Sequence, residues 1–172
     1  MDTEGTLAPA TADEARAEYD ELVPAAKVAV REATKAMGFD REEYADRVTG
    51  EVVETVRDAL FASLLRVHVG TRAEFDDWLA DHPEYEPDVA GSDNVDNVVW
   101  HPVAFPVDDP AVDADGGRLA IAATWQAERE AALGTLRRRA FGRAYRAVVS
   151  DDGADGDDAG ETAGAADTAD EP

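Results

Sequence analysis

Between residues 84 and 125 the apolar side chains stop recurring at helical spacing. Tyr85, Val89, Val95, Val98-Val99-Trp100, Val103, Phe105 and Leu119-Ala120-Ile121 come instead in short β-type runs. Gly91-Ser92-Asp93-Asn94 and the segment from Asp108 to Gly117 separate those runs with turn-forming residues. On either side of this island the apolar pattern repeats every three or four residues. One β-rich island between helical stretches restricts the chain to an α+β architecture, with helices covering a sheet. The spacing predicts three strands, near 85–90, 96–104 and 118–124, as an antiparallel meander. A long C-terminal helix over 126–149 is expected to pack on that sheet.

The helical stretches carry their own punctuation. Thr11-Ala12-Asp13-Glu14 has the form of a capping box and opens a helix that runs to about Leu22. Pro24 suits the first turn of the next helix. Leu22, Ala26, Ala29/Val30, Ala33 and Met37 then predict one buried face, ended by Gly38. Asp40-Arg41-Glu42-Glu43 opens a short helix that Gly50 interrupts. Val52, Val56, Ala59/Leu60, Ser63/Leu64 and Val67 form a second stripe, through about Leu65. Thr71-Arg72-Ala73-Glu74 is a further capping box, ahead of Phe75, Trp78 and Leu79, and Pro83 closes that helix.

Charge is distributed unevenly along this pattern. The formal net charge is −23 over 172 residues. Residues 1–125 carry 10 basic and 28 acidic groups, and residues 126–150 carry six Arg against two Glu. Residues 151–172 carry nine acids, no base and no large apolar side chain. A segment of that kind cannot bury apolar surface, so the expected organisation is one α+β domain over 1–150 and a disordered acidic tail over 151–172. Fourteen Arg against two Lys, and 23 Asp against 16 Glu, fit a surface adapted to high salt. There the Debye length falls to about 3 Å and self-repulsion fades. Most of the acid is therefore read as solvation. With no cysteine, the chain has no disulfide, no thiolate catalyst and no cysteine-bound zinc. It has no run of about 18 apolar residues to cross a membrane. Its acidic start, Met1-Asp2-Thr3-Glu4, lacks the form of a signal peptide. The expected compartment is the cytoplasm.

The basic exception is the C-terminal helix. At 100° per residue, Leu133, Leu136, Ala140, Phe141, Ala144 and Val148 share one side. Arg139, Arg143 and Arg146 share the opposite side, as an exposed strip suited to phosphate, nucleic acid or an acidic protein. Such a strip also offsets the helix dipole and pairs with surplus surface acids. Arg137 and Glu130 project onto the apolar side, where a charge must snorkel, pair or meet a ligand. An ion pair of Arg137 with Asp58 or Glu54 is one expectation, and an anion-binding pocket is the other.

Trp100-His101-Pro102 falls on the predicted central strand. His101 beside Glu128, with Arg129 and Trp125, is a candidate pocket at the sheet–helix junction, His101 acting as a base. Strand alternation opposes it, since Trp100 and His101 must face opposite ways. Trp125 and Arg129 also suit a cation–π pair. His68, His82 and His101 have no metal-binding spacing, and Asp113-Ala114-Asp115-Gly116-Gly117 lacks the Glu that completes a calcium loop. No metal or cofactor is expected. No phosphate loop, dinucleotide fingerprint, nucleophile elbow or kinase motif is present.

Four segments taken together resemble a small uncharacterised family of haloarchaeal proteins, a domain of unknown function, over about residues 1–150. They are Tyr19-Asp20-Glu21-Leu22 with Pro24-Ala25-Ala26, Arg57 to Leu64, Val98-Val99-Trp100-His101, and Glu128 to Ala132 through Arg143-Ala144-Tyr145-Arg146. The resemblance implies a salt-accumulating host and a cytoplasmic compartment, and it implies no reaction and no site residue. Three functional readings stand. The first is a non-enzymatic protein-interaction module that docks an acidic protein or a second copy through the arginine strip or an apolar groove. The second is a small-molecule enzyme or sensor using His101, Glu128, Arg129 or Arg137. The third is a nucleic-acid-associated protein, which the acidic remainder of the chain disfavours.

Overall fold

In the computed structural model, which describes residues 1–108 and 117–150, the β island becomes part of a larger sheet. The strands are β1 (Asp2–Glu4), β2 (Val67–Thr71), β3 (Tyr85–Ala90), β4 (Asn97–Pro102) and β5 (Arg118–Trp125). Their order is β1-β2-β4-β5-β3. The three expected strands exist, but they are not a meander. β5 inserts between β4 and β3, antiparallel to the first and parallel to the second. Leu119 to Ala123 are buried on both faces, which suits an inner position, whereas β3 exposes Glu86 and Pro87. A proline, having no N–H to give, belongs at such an edge. β1 and β2 were not expected. β1 is three polar residues with no apolar signal, and Val67 of β2 fits equally well as the end of the preceding helical stripe.

The helices are α1 (Ala12–Glu21), α2 (Val23–Ala36), α3 (Arg41–Arg47), α4 (Gly50–Leu64), α5 (Arg72–Asp81) and α6 (Arg129–Ala140). A π-helical turn (Phe141–Tyr145) then leads into α7 (Arg146–Ser150). Caps form where the sequence placed them: Asp40 with Glu43, and Thr71 with Glu74, make full capping boxes. At α1 the Thr11 hydroxyl accepts from the Glu14 N–H, while the Glu14 carboxylate accepts from Ala10, one residue early.

Val67, Val69, Val99, Leu119, Ile121 and Ala123 face a large core with α1, the end of α4, α6 and the π-turn. The other face is covered by α5, through Phe75 against Val98, Trp100, Ala120 and Ala122. Trp100 and His101 lie on opposite faces, as alternation requires. α2 and α3 contribute to neither cluster. α2 buries only Ala26, Val30 and Thr34, an i, i+4, i+8 row set on α4, and α3 buries nothing. The wider stripe expected on α2 is therefore not a buried face: Ala29 and Ala33 are exposed, and Met37 is 63% exposed. Thr34 takes the buried place because its hydroxyl donates to Val30 O at 2.9 Å.

Gly38 at φ +75 ends α2. Its N–H donates to Lys35 O and that of Phe39 to Thr34 O, the paired bonds of a Schellman cap. The acidic segment 151–172 and most of the Asp113–Gly117 loop lie outside the described residues.

Candidate functional site

The arginine cluster of the C-terminal helix divides. Arg139 Nη2 donates to Asp88 Oδ1 at 2.5 Å, and Arg143 Nη1 donates to Asp88 Oδ2. Both side chains are about 30% exposed and Asp88, on β3, only 16%. The expected open strip is thus a clamp on one carboxylate. Arg146 is separated from it and lies over the Phe141 ring, 5.7 Å from its centroid. The physical reason is the π-turn. It adds a residue to one turn, so the helix beyond it lags an uninterrupted α-helix by one position. Val149 and Tyr145 are buried, and Val148 is only partly so.

The same phase change corrects the reading of Glu130 and Arg137. Averaging the two halves of the helix moved the apparent apolar face toward them. Taken from Leu133, Leu136 and Ala140 alone, that face leaves Glu130 roughly 90° away. Glu130 is 85% exposed and pairs with Arg129 at 3.2 Å. Arg137 lies on the flank, and its Nε donates to Leu65 O at 3.1 Å. Leu65 caps the carboxyl end of α4, so the guanidinium satisfies a carbonyl there and opposes the negative end of the helix dipole. Neither expected acid is its hydrogen-bond partner: Asp58 accepts from Tyr19 at 2.5 Å, and Glu54 lines a cleft described below.

His101 is 1% exposed. Its Nδ1 donates to Arg66 O at 2.6 Å, so Nε2 carries the lone pair and accepts from the Tyr145 hydroxyl at 2.7 Å. Burial holds the imidazole at about 4, well below its ordinary value, and it also raises the Tyr145 hydroxyl. The pair is a neutral, satisfied link between β4 and the π-turn. Glu128 and Arg129 do not reach it. Arg129 pairs with Glu4 of β1 and with Glu130, and Glu128 borders a separate shallow cleft with Trp125, Ala131 and Ala132. The strand ends near His101 frame a cleft of about 180 Å³, bordered by Arg66, His68 and Tyr85. The Trp125–Arg129 pair expected from the sequence is replaced by the contacts of Arg129 with the two glutamates.

Two further clefts lie along α2, one of them comparable in size with the cleft of about 570 Å³ beside Trp125. The first, about 610 Å³, has Val23 and Lys27 of α2, Val53, Glu54 and Arg57 of α4, Asp20, and the chain's last described residues, Val149 and Ser150. Further along α2 a second cleft of about 320 Å³ gathers Arg31, Lys35 and Arg41 around Phe39 and Tyr44, with Thr34 and Asp40. The two together carry five basic and three acidic side chains in a chain of net charge −23. Lys27, Arg31 and Lys35 stand at i, i+4 and i+8, one row on the helix surface. Both lysines of the chain are in this row. That concentration is legible in the sequence, where the larger arginine cluster of residues 137–146 overshadows it. Tyr145 was missed for a different reason, because regular helical spacing places it off the buried face.

The sequence matches DUF5809, a family of unknown function, over residues 6–146. The chain belongs to this family. The DUF5809 match takes in every strand but β1 and the whole α2–α4 arm, and it ends at the first residue of α7. No curated protein and no solved structure matches the chain. Among the described residues, no helix is long and apolar enough to cross a membrane, and no group of three or more His, Asp or Glu side chains is placed to hold a metal ion.

Proposed function

We propose that this DUF5809 domain is a non-enzymatic interaction module whose α2–α4 arm docks an acidic polypeptide segment. The observation that carries the reading is the row Lys27–Arg31–Lys35, set beside two clefts on a helix that buries only three of its side chains. Apolar groups interleave with the charges: Val23 and Val53 in the first cleft, Phe39 and Tyr44 in the second. A ligand with carboxylates and a few apolar side chains matches both features. Arg139 and Arg143 of the C-terminal helix suit this role less well, because they already share Asp88. We take the Asp-rich, Lys-poor surface as that of a cytoplasmic protein in a salt-rich host, so salt is part of the test.

The experiment is a fluorescence-anisotropy titration with a labelled peptide of alternating Asp, Glu and Phe, in about 0.1 M and about 1 M salt. The expected result is binding that weakens with salt and is lost in the charge reversal K27E/R31E/K35E. Equal binding by the native chain and the reversal would sink the proposal. A duplex nucleic acid titrated in parallel is expected to bind more weakly than the peptide.

A further inference from the structure

We infer that at low ionic strength the acidic segment received by this surface is the chain's own residues 151–172, so that the arm is self-occupied until salt or a partner displaces them. The inference rests on the docking surface proposed above and names its occupant. Position comes first. Val149 and Ser150 form a wall of the cleft that also contains Lys27. The end of α7 is held there: Val149 is in the core, and Arg16 Nε donates to Val148 O at 2.9 Å. The chain therefore leaves the domain from a fixed point at the near end of the basic row.

Charge is the second argument. Residues 151–172 hold nine acids and no base, beginning with Asp151-Asp152. The cationic row lies next to the point from which they depart. Arg139 of α6 and Arg143 of the π-turn are a poorer destination, since Asp88 already bridges them, and the exposed Arg138 is a single cation that contacts Thr135 rather than part of an open row. Lys35, in contrast, has one long contact of 3.9 Å with Glu32, and both side chains are largely exposed. Reach is the third. Lys27 to Lys35 spans about 12 Å at 1.5 Å per helical residue, whereas 22 residues extend as far as about 70 Å. Fewer than half of them cover the row.

Tethering supplies a local concentration in the millimolar range, so even weak contacts are occupied. The segment has no large apolar residue to place against Val23, Val53, Phe39 or Tyr44. Its hold is electrostatic and salt-sensitive. A partner that adds apolar side chains gains contacts that the segment leaves unmade, which is the basis for displacement.

The full chain is free of cysteine, so A159C takes a single spin label, and amide signals of the ¹⁵N-labelled protein report where that label goes. The expected result in low salt is loss of most of the signal intensity over residues 27–35. The loss should disappear in K27E/R31E/K35E and in molar salt. Loss centred on α6, or on no region, overturns the inference. So does an equal loss when labelled and ¹⁵N chains are separate molecules in one sample, because the occupant is then a second copy. Replacing the segment's Asp by Asn should tighten binding of the acidic peptide, roughly tenfold for a local concentration of about 1 mM and a segment Kd of about 0.1 mM. If the peptide binds the row while the spin label leaves α2 untouched, the docking surface stands and this inference falls. If neither reaches α2, both fall.

Discussion

α6 and α2 are alike as sequences and opposite as structures. Each has apolar residues at three- and four-residue spacing beside a row of basic side chains. α6 lies across β4 and β5, so Leu133, Leu136 and Ala140 are buried, and Arg139, joined by Arg143 of the π-turn, closes on a carboxylate from β3. α2 meets α4 and little else. It buries Ala26, Val30 and Thr34, while its lysines line open clefts. The difference lies in what each helix is set against. A sheet gives a helix a broad apolar bed and backbone-anchored counter-charges, whereas a single neighbouring helix gives a narrow seam. Charges that look equivalent along the chain are thereby consumed in one region and left available in the other.

The contrast is broken most directly at the core. Phe61 meets Tyr19, Phe141 and Tyr145, with ring centroids 5.3–5.9 Å away. Phe61→Ala is expected to cost about 3–5 kcal/mol in urea unfolding. A cost below 1 kcal/mol would mean that the sheet side is no better packed than the arm.

The next effect is a dependence on pH. His101 has its folded value lowered to about 4 against an ordinary 6.5, so the unfolded chain takes up the proton first as pH falls. Its contribution is constant above about 6.5, and stability is lost between about 6.5 and 4, by about 3 kcal/mol in all. The measurement is urea stability at both ends of that window for the native chain and for His101→Gln. The carboxylates titrate in both proteins, so the expected signature is a steeper acid loss in the native chain. Identical slopes would remove His101 from the account.

Asp88→Asn should cost about 2 kcal/mol, since it leaves two half-buried guanidiniums with a neutral partner. Thermal unfolding would reveal a smaller effect if the clamp were only a surface pair. Smallest of all, Val28→Ser and Met37→Ser, on the open side of α2, should change stability by no more than about 0.5 kcal/mol. Amides of α2 are expected to exchange through smaller openings than those of β4 and β5. Equal protection would erase the distinction between the two regions.

Much of this was legible in advance, and the gaps have identifiable causes. The α+β class, three of the strands, the helix starts at Ala12, Arg41 and Arg72, and the opposite facing of Trp100 and His101 all follow from local patterns. The parallel pairing of β3 with β5 does not, because local alternation says which residues form a strand and not which strand comes between. β1 was invisible because Asp2-Thr3-Glu4 carries no apolar signal. The basic charge behind the candidate site was legible, and the fold moves the proposed surface from the C-terminal helix to α2. Helical projection assumes one period from end to end, and the π-turn violates it, displacing Tyr145 and Arg146 and drawing the averaged apolar face falsely toward Glu130 and Arg137. No spacing rule distinguishes a helix laid on a sheet from one laid on another helix, so the open row on α2 required the fold.

The π-turn also absorbs a residue. One residue of helical phase is worth about 100° of rotation and 1.5 Å of advance. Gly142 is exposed, and a side chain at that position would meet nothing within 4 Å. Deleting Gly142 would restore an uninterrupted helix without removing a core side chain. Tyr145 and Val149 would keep their buried places, because each residue after the deletion moves back by the one position that the π-turn had added. The irregular turn is a splice: it takes up one exposed residue and lets the helix keep a buried face on both sides of it.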